Sequence, residues 1–179
     1  MEKHKFELTR ISKEFELYAI KKHEHYPVLY KNISLGISKI RGLRGFRRDI
    51  DFRKLNEADI VKYMEDKSFN ESDKQLILSN LHTNKDIAIQ NIELVLRGIE
   101  YTEAENAYII ANNFYLLHRL FFSPKVSVIT EDLLNNIHKL WIHYDPDLMY
   151  SNHIKETMNE INIIKENITR IQEELFAQM

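Results

Sequence analysis

The first candidates for chemistry are polar and aromatic side chains in the longest helical segment of the chain. Tyr108, Asn112, Tyr115 and Arg119 follow one another at intervals of four, three and four residues. These intervals place them on one face of an α-helix, where hydroxyl, amide and guanidinium groups can converge. Because a guanidinium suits carboxylate or phosphate, this face predicts a small-ligand sensor. The alternative is a helix edge that buries the tyrosine rings and leaves their hydroxyls in solvent.

A basic island interrupts an otherwise acidic sequence. Residues 39–54 include seven basic and two acidic side chains, although the whole chain has a net charge of −2. The candidate binding residues are Arg41, Arg44, Arg47, Arg48, Arg53 and Lys54. With Phe46 and Phe52 between them, they could contact phosphates by charge and bases by stacking, so the candidate partners are nucleic acid or an acidic protein. The alternative is a helix end, because Gly42 and Gly45 favour termination and basic residues suit the negative end of the helix dipole.

Metal ligands and catalytic motifs are missing from the sequence. His23 and His25 are two residues apart and His138 and His143 are five apart, whereas helical ligand pairs stand three or four apart. The chain has no cysteine, which removes thiolate clusters and cysteine nucleophiles. Phosphate-binding glycine loops, an HExxH pair and a GxSxG elbow are also absent. We therefore expect a protein that is not an enzyme and holds neither a metal ion nor a cofactor.

Composition predicts an all-α protein. The chain has 179 residues, which fits one domain, and only four glycines and three prolines, which disfavours turn-rich β architectures. Its 44% hydrophobic and 29% charged residues are ordinary for a folded protein. The first residues carry charges where a signal peptide would be apolar, and no apolar run approaches the roughly 18 residues that span a bilayer. We expect a cytoplasmic protein with no membrane contact.

These residues are positioned by a predicted single-domain antiparallel helical bundle of five to seven helices around one long central helix. The candidate caps are Asn56, Asn70 or Ser68, Thr83 or Asn84, and Ser123, and Pro124 suits a first helical turn. The predicted segments are N-terminal helices over 1–41 with a kink or a fresh start near Pro27, a basic loop over 42–55, short helices within 56–82, the central helix 84–122, a helix over 124–143 and a last helix over 150–178.

The central helix is predicted to face a core with one apolar side. That side contains Ile92, Val95, Ile99, Ile109, Leu116 and Leu120, which recur with the helical period. From Ala107 onward, apolar residues spread around the helix, so we expect neighbours on several sides there.

The last helix has a heptad repeat. Its repeating positions are Ile154, Ile161, Ile168 and Leu175, with Ile164 and Ile171 at the complementary position. Sustained heptads predict a coiled-coil seam, either between chains or within a bundle, where the N-terminal helix is the candidate neighbour. The sequence as a whole therefore predicts a non-enzymatic regulatory or adaptor protein that binds another protein, forms a homo-oligomer through this seam, or does both. The alternatives are a nucleic-acid-binding protein and a small-ligand sensor.

Overall fold

The computed structural model describes residues 2–43, 50–145, 162–171 and 173, and nearly all of these are helical. The main helices are α1 (Glu2–Gly42), α2 (Glu57–Asp66), α3 (Glu71–Thr83), α4 (Lys85–His118) and α5 (Pro124–His143). A further helix, α6, covers residues 162–171. Single 3-10 turns occupy Phe52–Lys54 and Arg119–Phe121. Because the described residues form no strand, the prediction of an all-α bundle with a long central helix is confirmed.

Side-chain caps begin the helices at the predicted positions. The side-chain oxygen of Asn56 accepts a hydrogen bond from a first-turn amide of α2 at 2.9 Å, and that of Asn70 does the same for α3 at 2.8 Å. Asn84 and Ser123 cap α4 and α5 in the same way. Each cap satisfies an amide that lacks a partner within the helix, and this fixes where the helix starts.

The central helix α4 connects two hydrophobic cores. Its first half packs against α3 and the 3-10 turn Phe52–Lys54, in a core that contains Ala88, Ile92 and Leu96 of α4 together with residues of α2. Its second half packs against α1 and α5 in a larger core, which also includes residues of α6. The inward face of α4 therefore rotates along the helix, because its neighbours change from one half to the other.

The second half of α4 faces the larger core with a different side from the one predicted. Ile109, Leu116 and Leu120 are exposed, and Leu120 retains 81% of its accessible surface. The buried residues are instead Ala104, Ala107, Ala111 and Tyr115. Small side chains suit this side because α1 passes close by, and a Cβ added to Gly36 would lie 3.7 Å from the carbonyl oxygen of Ala107. The prediction that Ile109, Leu116 and Leu120 face the core is therefore wrong, whereas neighbours on more than one side, α1 and α5, are present.

Helix α1 continues through Pro27, so the predicted fresh start is wrong. Proline lacks an amide hydrogen and its ring crowds the carbonyl four residues earlier, which costs about 3 kcal/mol in a helix interior. Packing on both sides of Pro27 offsets this cost. Leu29 is fully buried, and the buried Tyr26 accepts a hydrogen bond through its hydroxyl from the Ser123 amide at 2.9 Å.

One apolar stripe runs along α1, but only part of it is covered. The covered part contains Tyr26, Leu29, Ile33, Ile37 and Ile40. The same helical spacing continues backwards through Tyr18, Phe15, Ile11 and Leu8, which are 40–71% exposed. The ring contact between Tyr18 and Phe121 lies where α4 has already ended. We call residues 6–20 the projecting half of α1, and every residue from 6 to 18 is exposed.

Candidate functional site

The α4 face that was predicted to bind an anionic ligand is packed against α5. The Tyr101 ring stacks on Trp141 and the Tyr108 ring stacks on His138, with centroids 4.9 Å and 5.1 Å apart. Tyr115 is buried. These rings occupy the space that a ligand would need, and they join α4 to α5.

One polar group of this face, the Tyr115 hydroxyl, also has a protein partner. The Tyr115 hydroxyl donates a hydrogen bond of 2.7 Å to the Glu131 carboxylate, whose negative charge would repel an anion. Burial raises the pKa of both Tyr108 and Tyr115 above its ordinary value of 10.0, so both hydroxyls stay protonated. Asn112 is half-buried, and Arg119 is exposed in the turn after α4. The small-ligand sensor therefore stays a prediction without support from this geometry.

The described part of the basic island is divided between two places. Arg41 lines an open cleft with Ile168 of α6, whereas Arg53 and Lys54 lie in the 3-10 turn before α2. Arg53 Nε lies 3.7 Å from a carboxylate oxygen of Asp86, and Lys54 Nζ lies 3.4 Å from one of Asp51. Arg44, Arg47 and Arg48 lie outside the described residues. Nucleic-acid binding by the island therefore stays a prediction.

The described part of the heptad seam packs within the chain. Ile164 and Ile171 are each 1% exposed and belong to the larger core, and Ile168 packs partly against it. Ile168 also shares the cleft with Ile37 of α1, which is the intrachain arrangement with the N-terminal helix. Ile154, Ile161 and Leu175 lie outside the described residues. To form an oligomer contact, the three described isoleucines would have to leave the hydrophobic core of their own chain.

Two histidines meet where α1 passes the end of α4. The rings of His25 and His118 lie 4.3 Å apart, and the His25 ring also contacts Phe114 and Phe121. Burial and the neighbouring His118 lower the pKa of His25. Among the described residues, no group of three or more histidine or acidic side chains is arranged to hold a metal ion. This junction marks the boundary between the packed and projecting halves of α1.

The strongest candidate site is the projecting half itself, which the sequence interpretation did not single out. Its exposed large apolar side chains are Leu8, Ile11, Phe15 and Tyr18 on the stripe, with Phe6, Leu17 and Ile20 on the opposite side of the helix and outside the candidate site. An exposed apolar stripe on one face of a helix is typical of a binding site in a folded protein. The signal in the sequence was the length of the stripe, which extends from Leu8 to Ile40. This is longer than the part of α1 that the end of α4 covers.

None of the described helices is long and apolar enough to cross a membrane. Comparisons of this chain with family models, curated proteins and solved structures found no match.

Proposed function

We propose that this protein is a non-enzymatic helical adaptor or regulatory protein, which acts by binding another macromolecule through the projecting half of α1. The observation that carries the proposal is the exposure of four large apolar side chains on one face of the helical segment 6–20, namely Leu8, Ile11, Phe15 and Tyr18, which are 40–71% exposed. Isolated helices of this length are marginal in water, and helices in proteins are stabilised mainly by packing of their apolar faces. A covered state of this segment would be more stable than the exposed one.

Burial of the stripe would contribute favourable free energy to binding. Complete burial of a leucine, isoleucine or phenylalanine side chain contributes about 1.5–3 kcal/mol. Covering Leu8, Ile11 and Phe15, which are 57–71% exposed, would contribute on the order of 3–6 kcal/mol before the costs of association. A stripe of this strength supports reversible binding, as expected of an adaptor.

Photo-cross-linking in the cells that make the protein tests this proposal. A photoreactive phenylalanine analogue replaces Phe15, and in a matched control it replaces Leu76, an exposed apolar residue of α3. We expect the Phe15 position to give a discrete macromolecular adduct and the Leu76 position to give none. Failure to form an adduct at Phe15, or equal adducts at both positions, would contradict the proposal.

A further inference from the structure

We infer that the macromolecule covering the projecting half of α1 is a second copy of this chain, bound antiparallel through the stripe Leu8, Ile11, Phe15 and Tyr18. This inference rests on the proposed function and names the partner for the same surface. It depends on the spacing of the stripe, the charges beside it and the area it offers.

The spacing of the stripe fits helix pairing. Its four residues follow at intervals of three, four and three, which is the heptad pattern that keeps one seam facing a partner helix. In an antiparallel pair, Leu8 lies opposite Tyr18 of the second copy and Ile11 lies opposite Phe15 of the second copy. The two-fold axis repeats both contacts, so each apolar residue of the stripe meets an apolar residue. The same surface is thus complementary to itself.

The charges beside the stripe also favour a second copy. Residues 6–25 contain four acidic and four basic side chains, so this segment has no net charge and does not repel its own copy. The antiparallel register brings Glu7 toward Lys21 of the second copy, an attractive pair for a lysine that also contacts Glu24 of its own helix, with Nζ and Oε2 2.7 Å apart. Glu14 would come near its own symmetry mate, but it is already paired with Arg10 in the same helix, with Nε and Oε1 3.5 Å apart. A strongly charged partner, such as nucleic acid, is not favoured by a neutral segment.

The area of the stripe predicts a weak dimer. Its four side chains are 40–71% exposed, and at about 150–250 Å² for a large side chain they offer on the order of 400–500 Å². Stable interfaces bury about 800 Å² on each partner. We therefore expect dissociation in the micromolar range, so that the mass of the purified protein depends on its concentration.

Sedimentation equilibrium of the purified full chain tests the inference between about 1 and 500 µM, which brackets that range. We expect the mass to rise from the chain mass of 21.4 kDa toward twice that value. Phe15→Glu should remain monomeric with an unchanged helical circular dichroism spectrum. Leu17→Glu is the matched control, because Leu17 is also exposed but lies on the opposite side of the helix. A wild-type monomer throughout, or equal loss of dimer in both variants, would overturn the inference.

Single cysteines test the direction of the pair, since the chain has none of its own. With a short bismaleimide, a mixture of Ile11→Cys and Phe15→Cys proteins should form a cross-linked heterodimer in preference to either homodimer. Preferred homodimers would indicate parallel helices and overturn the antiparallel arrangement.

The proposed function is judged separately by the adduct at Phe15 in cells. An adduct to a different protein, with a monomeric purified chain, overturns only the second copy, whereas a monomer without any adduct overturns both.

Discussion

Leu29 and Leu8 lie on the same stripe of α1, yet Leu29 is fully buried and Leu8 is 68% exposed. The difference arises from their neighbours, because α4 and α5 run beside the second half of α1 and α4 ends near His25. The comparison shows that periodicity in a sequence specifies which face of a helix will be covered, but not which molecule covers it. In the packed half the cover belongs to the same chain, and in the projecting half we propose that it comes from a partner.

The largest expected effect is a difference in stability between the two halves of α1 when the same leucine-to-alanine substitution is made in each. Leu29→Ala should lower the free energy of unfolding by about 2–5 kcal/mol, because it leaves a cavity in the larger core. Leu8→Ala should change it by less than about 0.5 kcal/mol in dilute solution, where its side chain contacts mainly water. Urea denaturation of both variants at low protein concentration measures the difference. Equal losses would mean that the stripe is covered along its whole length within one chain.

A smaller effect is expected at the close approach of α1 and α4. Gly36→Leu should lower the free energy of unfolding by about 1–3 kcal/mol, because its side chain would push the two helices apart. Gly36→Ala should be neutral or stabilising by up to about 1 kcal/mol, since its Cβ makes an ordinary contact at 3.7 Å and alanine favours helix.

Gly98→Leu is the control for Gly36, because a Cβ on Gly98 meets no other atom within 4 Å. Thermal unfolding of the three variants provides the measurement. If Gly36→Leu were as well tolerated as Gly98→Leu, the two helices would not be closely packed at this point.

The smallest expected effect is a pH dependence at the junction of the two halves. The pKa of His25 lies below its ordinary value of 6.5, so the folded protein favours the neutral imidazole. The resulting stability is present above pH 6.5 and is lost as the pH falls from 6.5 through the lowered pKa of the folded state. The groups around His25 are His118, Lys21 and Glu24, with the rings of Phe114 and Phe121.

Replacing His25 with glutamine should remove this part of the pH dependence. The measurement is the free energy of unfolding of the wild type and the variant between about pH 8 and pH 5, where histidine titrates. A steeper fall in stability with decreasing pH for the variant than for the wild type would contradict the assignment.

Helix boundaries were the most predictable part of the fold. Asn56, Asn70, Asn84 and Ser123 each accept a hydrogen bond from a first-turn amide. Capping depends on residues close in sequence, so local chemistry is sufficient to locate these helix starts. Pro124, at the first position of α5, is likewise a helix-start signal that depends only on neighbouring residues.

The faces of α4 were not predictable by the same reasoning. Apolar periodicity gives most weight to large side chains such as Leu116, whereas the close approach of α1 at Gly36 suits the small side chain of Ala107. The neighbours of a helix are set by contacts distant in sequence, which a pattern within one helix does not contain. The candidate site was missed for the same reason, because exposure of the projecting half depends on where α4 ends.

The proline within α1 affects how its two halves respond to thermal fluctuation. Because Pro27 has no amide hydrogen, the backbone hydrogen bond to the carbonyl of residue 23 is missing, close to where α1 leaves the bundle. The helix before this gap can open without breaking the hydrogen bonds that follow it, so local unfolding of the projecting half is separated from global unfolding. Binding through this half would then suppress its local opening without changing the stability of the bundle that follows Pro27.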